Sequence, residues 1–272
     1  MGPVELVVAD LDRTLDYWQR VVGVRVLARE AHTASVGADR ELVRFAEEPG
    51  AEPDHGHTGL YHVALLVPDR PSLARWLAHA ARERFELTGL SDHAVSEAIY
   101  LRDPDHHGIE IYADRPRELW EGQVFQQMTT MPLDVQALFA ELDDPDTEPF
   151  DGLPDGTVMG HVHLRVADVP KTVEFYNGVL GMGVMAQLGP AAAFLSAGGY
   201  HHHVGANTWE SRGASPAPPG SATLRHATIV LPDAAERDRV VTSVADSGQD
   251  PETLDEGVIV RDPSRNALLL TA

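Results

Sequence analysis

The segment Val162–Gln187, VHLRVADVPKTVEFYNGVLGMGVMAQ, decides the fold, because it aligns without a gap with Val4–Arg29, VELVVADLDRTLDYWQRVVGVRVLAR. Each segment reads as a short strand, an Ala-Asp helix entry, an amphipathic helix and, after a glycine, another strand. Asp10 and Asp168 occupy the position of a helix N-cap, where a carboxylate accepts a backbone N–H. The sequence therefore predicts an internal repeat that begins with a strand and a helix.

A second pair of segments in the chain is also similar in sequence. His62–Asp69, HVALLVPD, resembles His226–Asp233, HATIVLPD, and each precedes a predicted helix. Each member also ends in a matching turn and strand, LRDPDHHGIEIYA at Leu101–Ala113 and VRDPSRNALLLTA at Val260–Ala272. Repeats of about 50 residues define the architecture of a chain. We therefore expect an α+β protein of four strand–helix–three-strand (βαβββ) modules.

The predicted modules leave one connecting segment between the second and the third. They cover residues 1–58 (module 1), 59–114 (module 2), 158–212 (module 3) and 222–272 (module 4). The linker, residues 115–157, is predicted to hold one helical segment near Pro132–Leu142 and then an acidic, turn-rich stretch.

Composition limits the classes of function. The 272 residues are 43% hydrophobic, which suits one large or two medium domains, and the formal net charge is −21. Such a charge repels phosphate backbones and anionic lipids, so we expect neither a nucleic-acid nor a membrane partner. The chain has no cysteine, so a metal site must use histidine and carboxylate ligands. No apolar run could span a bilayer and no signal segment is visible, which predicts a cytoplasmic protein.

The segment Asp92–Glu110, DHAVSEAIYLRDPDHHGIE, contains the most informative candidate functional residues. It sets His93, Tyr100 and Glu110 on two predicted strands joined by a tight turn. A carboxylate on a strand as apolar as Gly108–Tyr112 is costly to bury without a cationic or metal partner. The sequence therefore predicts that Glu110 has such a partner.

Helix entries of the form VxD and strand ends of the form DPxxxxIE resemble those of the vicinal oxygen chelate superfamily. That resemblance implies the glyoxalase/bleomycin-resistance/dioxygenase fold, in which two modules form one incomplete barrel around a cavity, so that four modules make two barrels. Asp92–Glu110 further resembles the signature of type I extradiol dioxygenases, although Ser91 and His106 depart from it. Gly198–Trp209, GGYHHHVGANTW, is similar to a catechol 2,3-dioxygenase-like branch.

The resemblance implies a metal held by two first-strand histidines and one last-strand glutamate, a set that leaves positions open for substrate and dioxygen. The last strands offer Glu110 in module 2 but Leu269 in module 4. The first-strand positions are, in chain order, Pro3, His62, His161 and His226. Only modules 2 and 3 supply a full set, His62, His161 and Glu110, so they are predicted to share the metal-site barrel, and modules 1 and 4 the other.

Several histidines leave alternatives open. His163 lies two residues from His161 and on the same strand face, so it is an alternative ligand, although the repeat alignment favours His161. His226 lacks a carboxylate partner and is interpreted as structural. In the implied chemistry a histidine near the last strand of module 3 is the acid–base catalyst. The run His201–His203 is predicted to lie on a strand, and His202 is favoured over its two neighbours.

The implied reaction is extradiol ring cleavage of catechol or a substituted catechol by O2, which inserts both oxygen atoms and gives a 2-hydroxymuconic semialdehyde-type product. Fe(II) is the expected metal, and Mn(II) uses the same ligands. His202 would exchange a proton with the substrate, and His93 and Tyr100 would hydrogen-bond its oxygens. Trp209, Phe194 and Leu195 are candidates for the walls of the pocket.

Two other functions are compatible with the fold. A glyoxalase-type enzyme needs a second glutamate on the other last strand, and Tyr200–His203 offers none. A metal-free, drug-sequestering protein would not need His62, His161 and Glu110 in matching positions. The ring substituents of the substrate, the choice between iron and manganese, and the existence of a homo-oligomer stay open.

Overall fold

The computed structural model describes residues 1–272 and contains two large mixed β-sheets with helices packed on them. Module 1 contains β1 (Val4–Val8), α1 (Leu11–Tyr17), β2 (Arg25–Arg29), β3 (Thr33–Gly37), β4 (Glu41–Glu47) and β5 (Glu52–Pro53). Module 2 contains β6 (Gly59–Leu66), α2 (Arg70–Glu83), β7 (Gly89–Asp92), β8 (Ser96–Arg102) and β9 (Gly108–Asp114).

The linker contains more regular structure than the sequence predicts. After a 3-10 turn at Arg117–Leu119 it forms α3 (Val124–Gln127), β10 (Met131–Pro132) and α4 (Val135–Phe139). The strand β10 pairs with β7, so the linker joins the sheet of module 2. The predicted helix near Pro132–Leu142 is shorter than expected: it begins after Asp134, which accepts the backbone N–H of Ala137, and it ends at Phe139.

The second half of the chain repeats the order of the first. Module 3 contains β11 (Val158–Arg165), α5 (Val169–Val173), β12 (Gly183–Leu188), β13 (Ala192–Ser196) and β14 (Val204–Asn207). The short strand β15 (Ser221–Ala222) begins one residue before the predicted start of module 4. Module 4 contains β16 (Leu224–Val230), α6 (Ala234–Asp246), β17 (Glu252–Leu254), β18 (Gly257–Arg261) and β19 (Ala267–Thr271). The predicted α+β fold of repeated βαβββ modules is confirmed.

The helix entries form as the repeat requires. Asp10 accepts the backbone N–H of Arg13, and Asp168 accepts that of Lys171, each at 2.9 Å. The helices α1 and α5 then continue as π-helical turns, at Trp18–Val22 and Glu174–Val179. The π-helical turns are a feature of the repeat that the sequence pattern does not reveal.

Strand order divides the modules between the two sheets. One sheet has the order β17-β18-β19-β16-β1-β4-β3-β2, and its strands come from modules 1 and 4. The other has the order β10-β7-β8-β9-β6-β11-β14-β13-β12, and its strands come from module 2, the linker and module 3. The first strands of paired modules run antiparallel to each other, β1 beside β16 and β6 beside β11.

The two sheets share one hydrophobic core, which extends from Val4 to Leu270. Buried tryptophans link modules 1 and 2 through this core. The indole Nε1 of Trp76 on α2 donates to the Val22 carbonyl, and that of Trp18 donates to Asp103. None of the helices is both long enough and apolar enough to cross a bilayer.

Candidate metal centre and cavity

Three adjacent strands bring His62, Glu110 and His161 together. Ala64 of β6 faces Glu110 of β9 on one side and His161 of β11 on the other, in a single cross-strand row. His62 lies two residues from Ala64 and therefore projects from the same face of β6. The methyl side chain of Ala64 leaves the space between the three longer side chains open.

The three polar ends converge on one point. Nε2 of His62 lies 2.9 Å from Oε2 of Glu110, and Nε2 of His161 lies 3.3 Å from the same oxygen. All three side chains are buried, with residue exposures of 5%, 2% and 1% for His62, Glu110 and His161. The carboxylate therefore has two imidazoles as its partners, as an acid on an apolar strand requires.

The protonation states suit metal binding. Burial lowers the pKa of His161 to about 4, so this imidazole is neutral at pH 7. Burial alone would raise the pKa of the Glu110 carboxyl, but the imidazoles beside it, His161 foremost, hold that pKa well below its usual range. Metal ligands must be deprotonated, so a neutral imidazole and an ionised carboxylate are ready to bind without a change of charge.

A buried nitrogen without a hydrogen-bond partner is also consistent with a metal site. The contact of His62 Nε2 with Glu110 lacks hydrogen-bond geometry, and this buried nitrogen has no other partner. Buried polar atoms without a partner are rare in folded proteins and call for an explanation. Three donors of two imidazoles and one carboxylate, all within 4.8 Å of one another, form a candidate metal site of the two-His-one-carboxylate kind.

This candidate site opens into a cavity of about 570 Å3, a volume within the range of small-molecule sites. Phe194 and Trp209 line it, as predicted, whereas Leu195 does not: its side chain is fully buried in the core because it alternates with Phe194 along β13. The lining also contains Tyr61, His62, His93, Tyr100, Glu110, His161, His163 and His202.

The comparison with known proteins decides the family. The profile of the Glyoxalase/Bleomycin resistance protein/Dioxygenase superfamily matches residues 1–111 and 158–269. The chain belongs to this superfamily. A catechol-2,3-dioxygenase of Bacillus subtilis (strain 168) is 40% identical over an alignment of 278 residues that covers 99% of this chain and 95% of that relative. The resemblance stated from the motifs is thereby confirmed.

Two solved structures share the fold of this chain. A candidate dioxygenase from Bacillus subtilis superposes with a TM-score of 0.65 at 15% identity, over 99% of this chain and 84% of the other. Glyoxalase I from Zea mays superposes with a TM-score of 0.62 at 17% identity, over 99% and 91%. These identities are low, so the likeness concerns the fold alone.

His163 lies beside the cluster of His62, Glu110 and His161 and is not part of it. It faces His62 directly across the β6–β11 ladder, with ring centroids 4.9 Å apart. Its Nε2 is buried without a hydrogen-bond partner, and burial holds its pKa well below the usual range. The cluster contains His161 instead, because a bulge between Met159 and His161 sets His161 opposite Ala64.

His93 and Tyr100 meet at the cavity, as the sequence predicts. Nε2 of His93 lies 2.7 Å from the Tyr100 hydroxyl, and Nδ1 of His93 lies 2.8 Å from the carbonyl oxygen of Thr129. A carbonyl oxygen only accepts, so Nδ1 of His93 carries the proton and Nε2 accepts from the Tyr100 hydroxyl. Burial, with the charge of Glu110 next, raises the pKa of Tyr100 well above its usual range, so its phenol keeps its proton.

The run His201–His203 is not on a strand, which corrects the prediction. It forms the turn before β14, whose ladder begins at Val204, so its side chains do not alternate between two sheet faces. His202 nevertheless lines the cavity, with its ring centroid 4.0 Å from that of His161. His203 points elsewhere, and its Nδ1 lies 2.9 Å from the hydroxyl of Ser196.

The sheet of modules 1 and 4 contains a smaller cavity of about 220 Å3, lined by Pro3, His226 and Leu269 among others. His226 is buried, and its Nε2 lies 3.9 Å from Oε2 of Glu5, beyond hydrogen-bond distance. This cavity therefore has the histidine of a metal site without the second histidine or the last-strand carboxylate.

The sequence did not predict two groups of residues near the site. The linker, read only as a connection, contributes Met128, Thr129 and Thr130 to the cavity lining. Asp114, at the end of β9, lies 2.9 Å from Nε2 of His201. The only sequence signal for Asp114 was its position four residues after Glu110, on the same face of the strand.

Proposed function

We propose that this protein is an extradiol dioxygenase that opens the ring of catechol, or of a substituted catechol, beside one hydroxyl group. The observation that carries the proposal is the convergence of His62, His161 and Glu110 within a cavity of about 570 Å3. The similarity of nearly the whole chain to a catechol-2,3-dioxygenase supports the choice of substrate class.

We propose Fe(II) as the metal, with Mn(II) as the alternative that the same ligands accept. Nε2 of His62, Nε2 of His161 and the Glu110 carboxylate would hold it. Bound Fe(II) would supply the Lewis acidity and the redox chemistry that ring opening by O2 requires. Three protein ligands leave positions open for the substrate, so the chain itself need not move to admit it.

His202 is the proposed acid–base residue. It lines the cavity beside His161, and burial holds its pKa well below the usual range, so it enters the reaction as a neutral imidazole. A neutral imidazole can accept the proton that a catechol hydroxyl loses and return it later in the reaction. His202 is thus proposed to hold the transferred proton close to the reacting oxygens.

His93 and Tyr100 are proposed to bind and orient the substrate oxygens. The Thr129 carbonyl fixes the proton of His93 on Nδ1, and His93 in turn holds the Tyr100 hydroxyl at the cavity wall. A substrate oxygen that enters the cavity would accept the hydrogen bond of the Tyr100 hydroxyl in place of His93 Nε2, and a donor already at the cavity wall stabilises charge that develops on that oxygen. Phe194 and Trp209 are proposed to pack against the apolar ring.

The reaction balances without an external reductant. One molecule of O2 is consumed, one ring carbon–carbon bond breaks, and both oxygen atoms enter the product, a 2-hydroxymuconic semialdehyde. The test loads the protein with Fe(II) under anaerobic conditions, adds catechol, and then admits 18O2. The proposal expects a yellow product that contains two labelled oxygen atoms.

A control separates the metal centre from the remaining histidines. Glu110→Gln is expected to abolish the yellow product, whereas His226→Ala, in the smaller cavity, is expected to leave it unchanged. Absence of product in the iron-loaded wild-type protein, with catechol bound and released unaltered, would favour a binding protein. Isomerisation of a glutathione hemithioacetal would favour a glyoxalase-type enzyme.

A further inference from the structure

A chain of hydrogen bonds leads from Asp114 to the cavity. Oδ1 of Asp114 lies 2.9 Å from Nε2 of His201, and Nδ1 of His201 lies 2.8 Å from Nδ1 of His202. His201 is fully buried, and both of its ring nitrogens are engaged in this chain. His202, the last member, lines the cavity. The carboxylate is thereby connected to the proposed acid–base residue through a single imidazole.

The proton positions along this chain follow from the donors available. An ionised carboxylate only accepts, so Nε2 of His201 must carry a proton. In a neutral imidazole the other nitrogen is then an acceptor, so Nδ1 of His201 accepts. Nδ1 of His202 must therefore donate, which leaves Nε2 of His202 as the nitrogen with a free lone pair. Asp114 thus determines which nitrogen of His202 can act as a base.

The surroundings hold the carboxylate and His201 in place. The hydroxyl of Tyr200 donates to Oδ1 of Asp114 at 3.1 Å, and the hydroxyl of Tyr112 lies 2.8 Å from that of Tyr200. Since the Tyr200 proton is directed at Asp114, Tyr112 is the donor in the second contact. The ring of Tyr200 also lies against that of His201, with centroids 4.0 Å apart.

One glycine makes this arrangement sterically feasible. A Cβ at Gly160 would lie 1.8 Å from the Tyr112 hydroxyl oxygen, far inside van der Waals contact. Gly160 sits at the bulge between Met159 and His161, the same bulge that sets His161 opposite Ala64. The backbone feature that positions one metal-site histidine therefore also makes room for the hydroxyl pair that supports Asp114.

We infer that Asp114 and His201 are positioning residues that hold His202 in the tautomer with its proton on Nδ1 and its basic Nε2 available to the cavity. The inference rests on the proposed function only in naming what His202 does with that nitrogen. The hydrogen-bond order itself is a property of the folded chain. It is therefore measurable without turnover.

The test compares Asp114→Ala with Asp114→Asn in the full-length chain. Alanine removes the acceptor, whereas the Oδ1 atom of asparagine can still accept from His201 Nε2. Histidine is labelled with 15N, and Zn(II) replaces iron as a diamagnetic metal. Long-range proton–nitrogen spectra then report which ring nitrogen of His201 and His202 is protonated. Iron content, kcat and KM are measured on the iron-loaded proteins.

The wild-type protein is expected to have the proton on Nε2 of His201 and on Nδ1 of His202. Asp114→Ala is expected to lose this order and to lower kcat about 100-fold with iron content and KM near the wild-type values. Asp114→Asn is expected to keep the order and to recover most of the lost rate. His203→Ala, which removes the neighbouring histidine outside the chain of hydrogen bonds, is expected to change neither readout.

Two results would overturn the inference: a proton on Nε2 of His202 in the wild-type protein, or unchanged tautomers in Asp114→Ala. If Asp114→Ala does not fold, Asp114→Asn with the wild-type spectra still decides the hydrogen-bond order. The expected tautomers in a protein that does not cleave catechol would leave the positioning role intact and refute the proposed function instead.

Discussion

Glu110 and Leu269 occupy corresponding positions in the two sheets. Glu110 of β9 faces Ala64 of β6, and Leu269 of β19 faces Thr228 of β16. Ala64 and Thr228 each lie two residues after the first-strand histidine of their module. The two sheets therefore have the same strand arrangement here. The residue at this last-strand position, Glu110 or Leu269, determines which sheet can hold a metal through a carboxylate.

This relationship predicts that metal binding depends on one histidine and not on its repeat-related counterpart. His62→Ala removes an imidazole from the cluster, and we expect its iron content after desalting to fall from about one per chain to near zero. His226→Ala is the matched control and should retain iron, because Leu269 offers no ligand. Equal loss of iron in both variants, measured by elemental analysis, would contradict the assignment.

The sequence predicted the cluster because its members belong to a repeat. Four first strands and their last strands could be aligned, and His62, His161 and Glu110 were the residues that completed a ligand set. The turn at His201–His203 was wrongly predicted as a strand, since the local pattern does not reveal that the ladder of β14 begins only at Val204.

Contacts between distant segments could not be predicted. Asp114 and His201 are 87 residues apart and meet only because β9, β6, β11 and β14 are neighbours in that order. The linker likewise looked like a connection, because a strand of two residues such as β10 is too short to leave a periodic pattern. Both features depend on strand order, which local propensity does not encode.

Tyr100→Phe is expected to lower kcat about 100-fold while leaving the iron content unchanged, because it removes a hydroxyl held at the cavity wall and no metal ligand. Steady-state kinetics with catechol measures the effect. Tyr17→Phe is a suitable control, since the Tyr17 hydroxyl donates to the Arg102 carbonyl and its side chain does not line the cavity. Full activity of Tyr100→Phe would refute a role for its hydroxyl.

Asp262 and Asp103 occupy matching turns of modules 4 and 2. As the pH rises, ionisation of Asp262 is expected to lower the free energy of unfolding, and ionisation of Asp103 is expected to raise it. Burial raises the pKa of Asp262 to about 6 in the folded chain. The stability that protonated Asp262 contributes is fully present below its unfolded pKa of about 4 and is lost as the pH rises through 6. The loss is roughly 2–3 kcal/mol in the free energy of unfolding. Asp262→Asn cannot titrate, so it should gain stability relative to wild type between those pH values.

Asp103 provides the opposite case, because His107 stands where module 4 has Asn266. Burial opposes ionisation of Asp103, but His107 outweighs it and keeps the pKa of this carboxyl below its usual range. The stability that it contributes is present above its unfolded pKa and is lost as the pH falls. Asp103→Asn should therefore lose stability relative to wild type as the pH rises. Urea denaturation should show the Asp103 slope below about pH 4 and the Asp262 slope, of opposite sign, between about pH 4 and pH 6.

Gly205→Ala is expected to lower the free energy of unfolding by about 1–3 kcal/mol, because overpacking displaces a buried ring. A Cβ at Gly205 would lie 2.8 Å from Cγ of His163, which faces it across the β11–β14 ladder. Chemical denaturation measures the loss. Gly178→Ala is the control, since a Cβ there meets nothing within 4 Å.

A second variant tests the cause of that loss. His163→Ala combined with Gly205→Ala removes the ring that the new methyl group would strike. The cost of Gly205→Ala should therefore be smaller in the His163→Ala background than in the wild type. Equal costs in the two backgrounds would show that the contact with His163 is not the reason.

The central claim is that His62, His161 and Glu110 hold one metal ion between them. Crystals of the iron-loaded protein, measured at the iron absorption edge, test it directly. We expect one anomalous peak per chain, bonded to Nε2 of His62, Nε2 of His161 and the carboxylate of Glu110. A peak bonded to His163 in place of His161, a peak in the cavity of His226, or no peak at all would contradict the account.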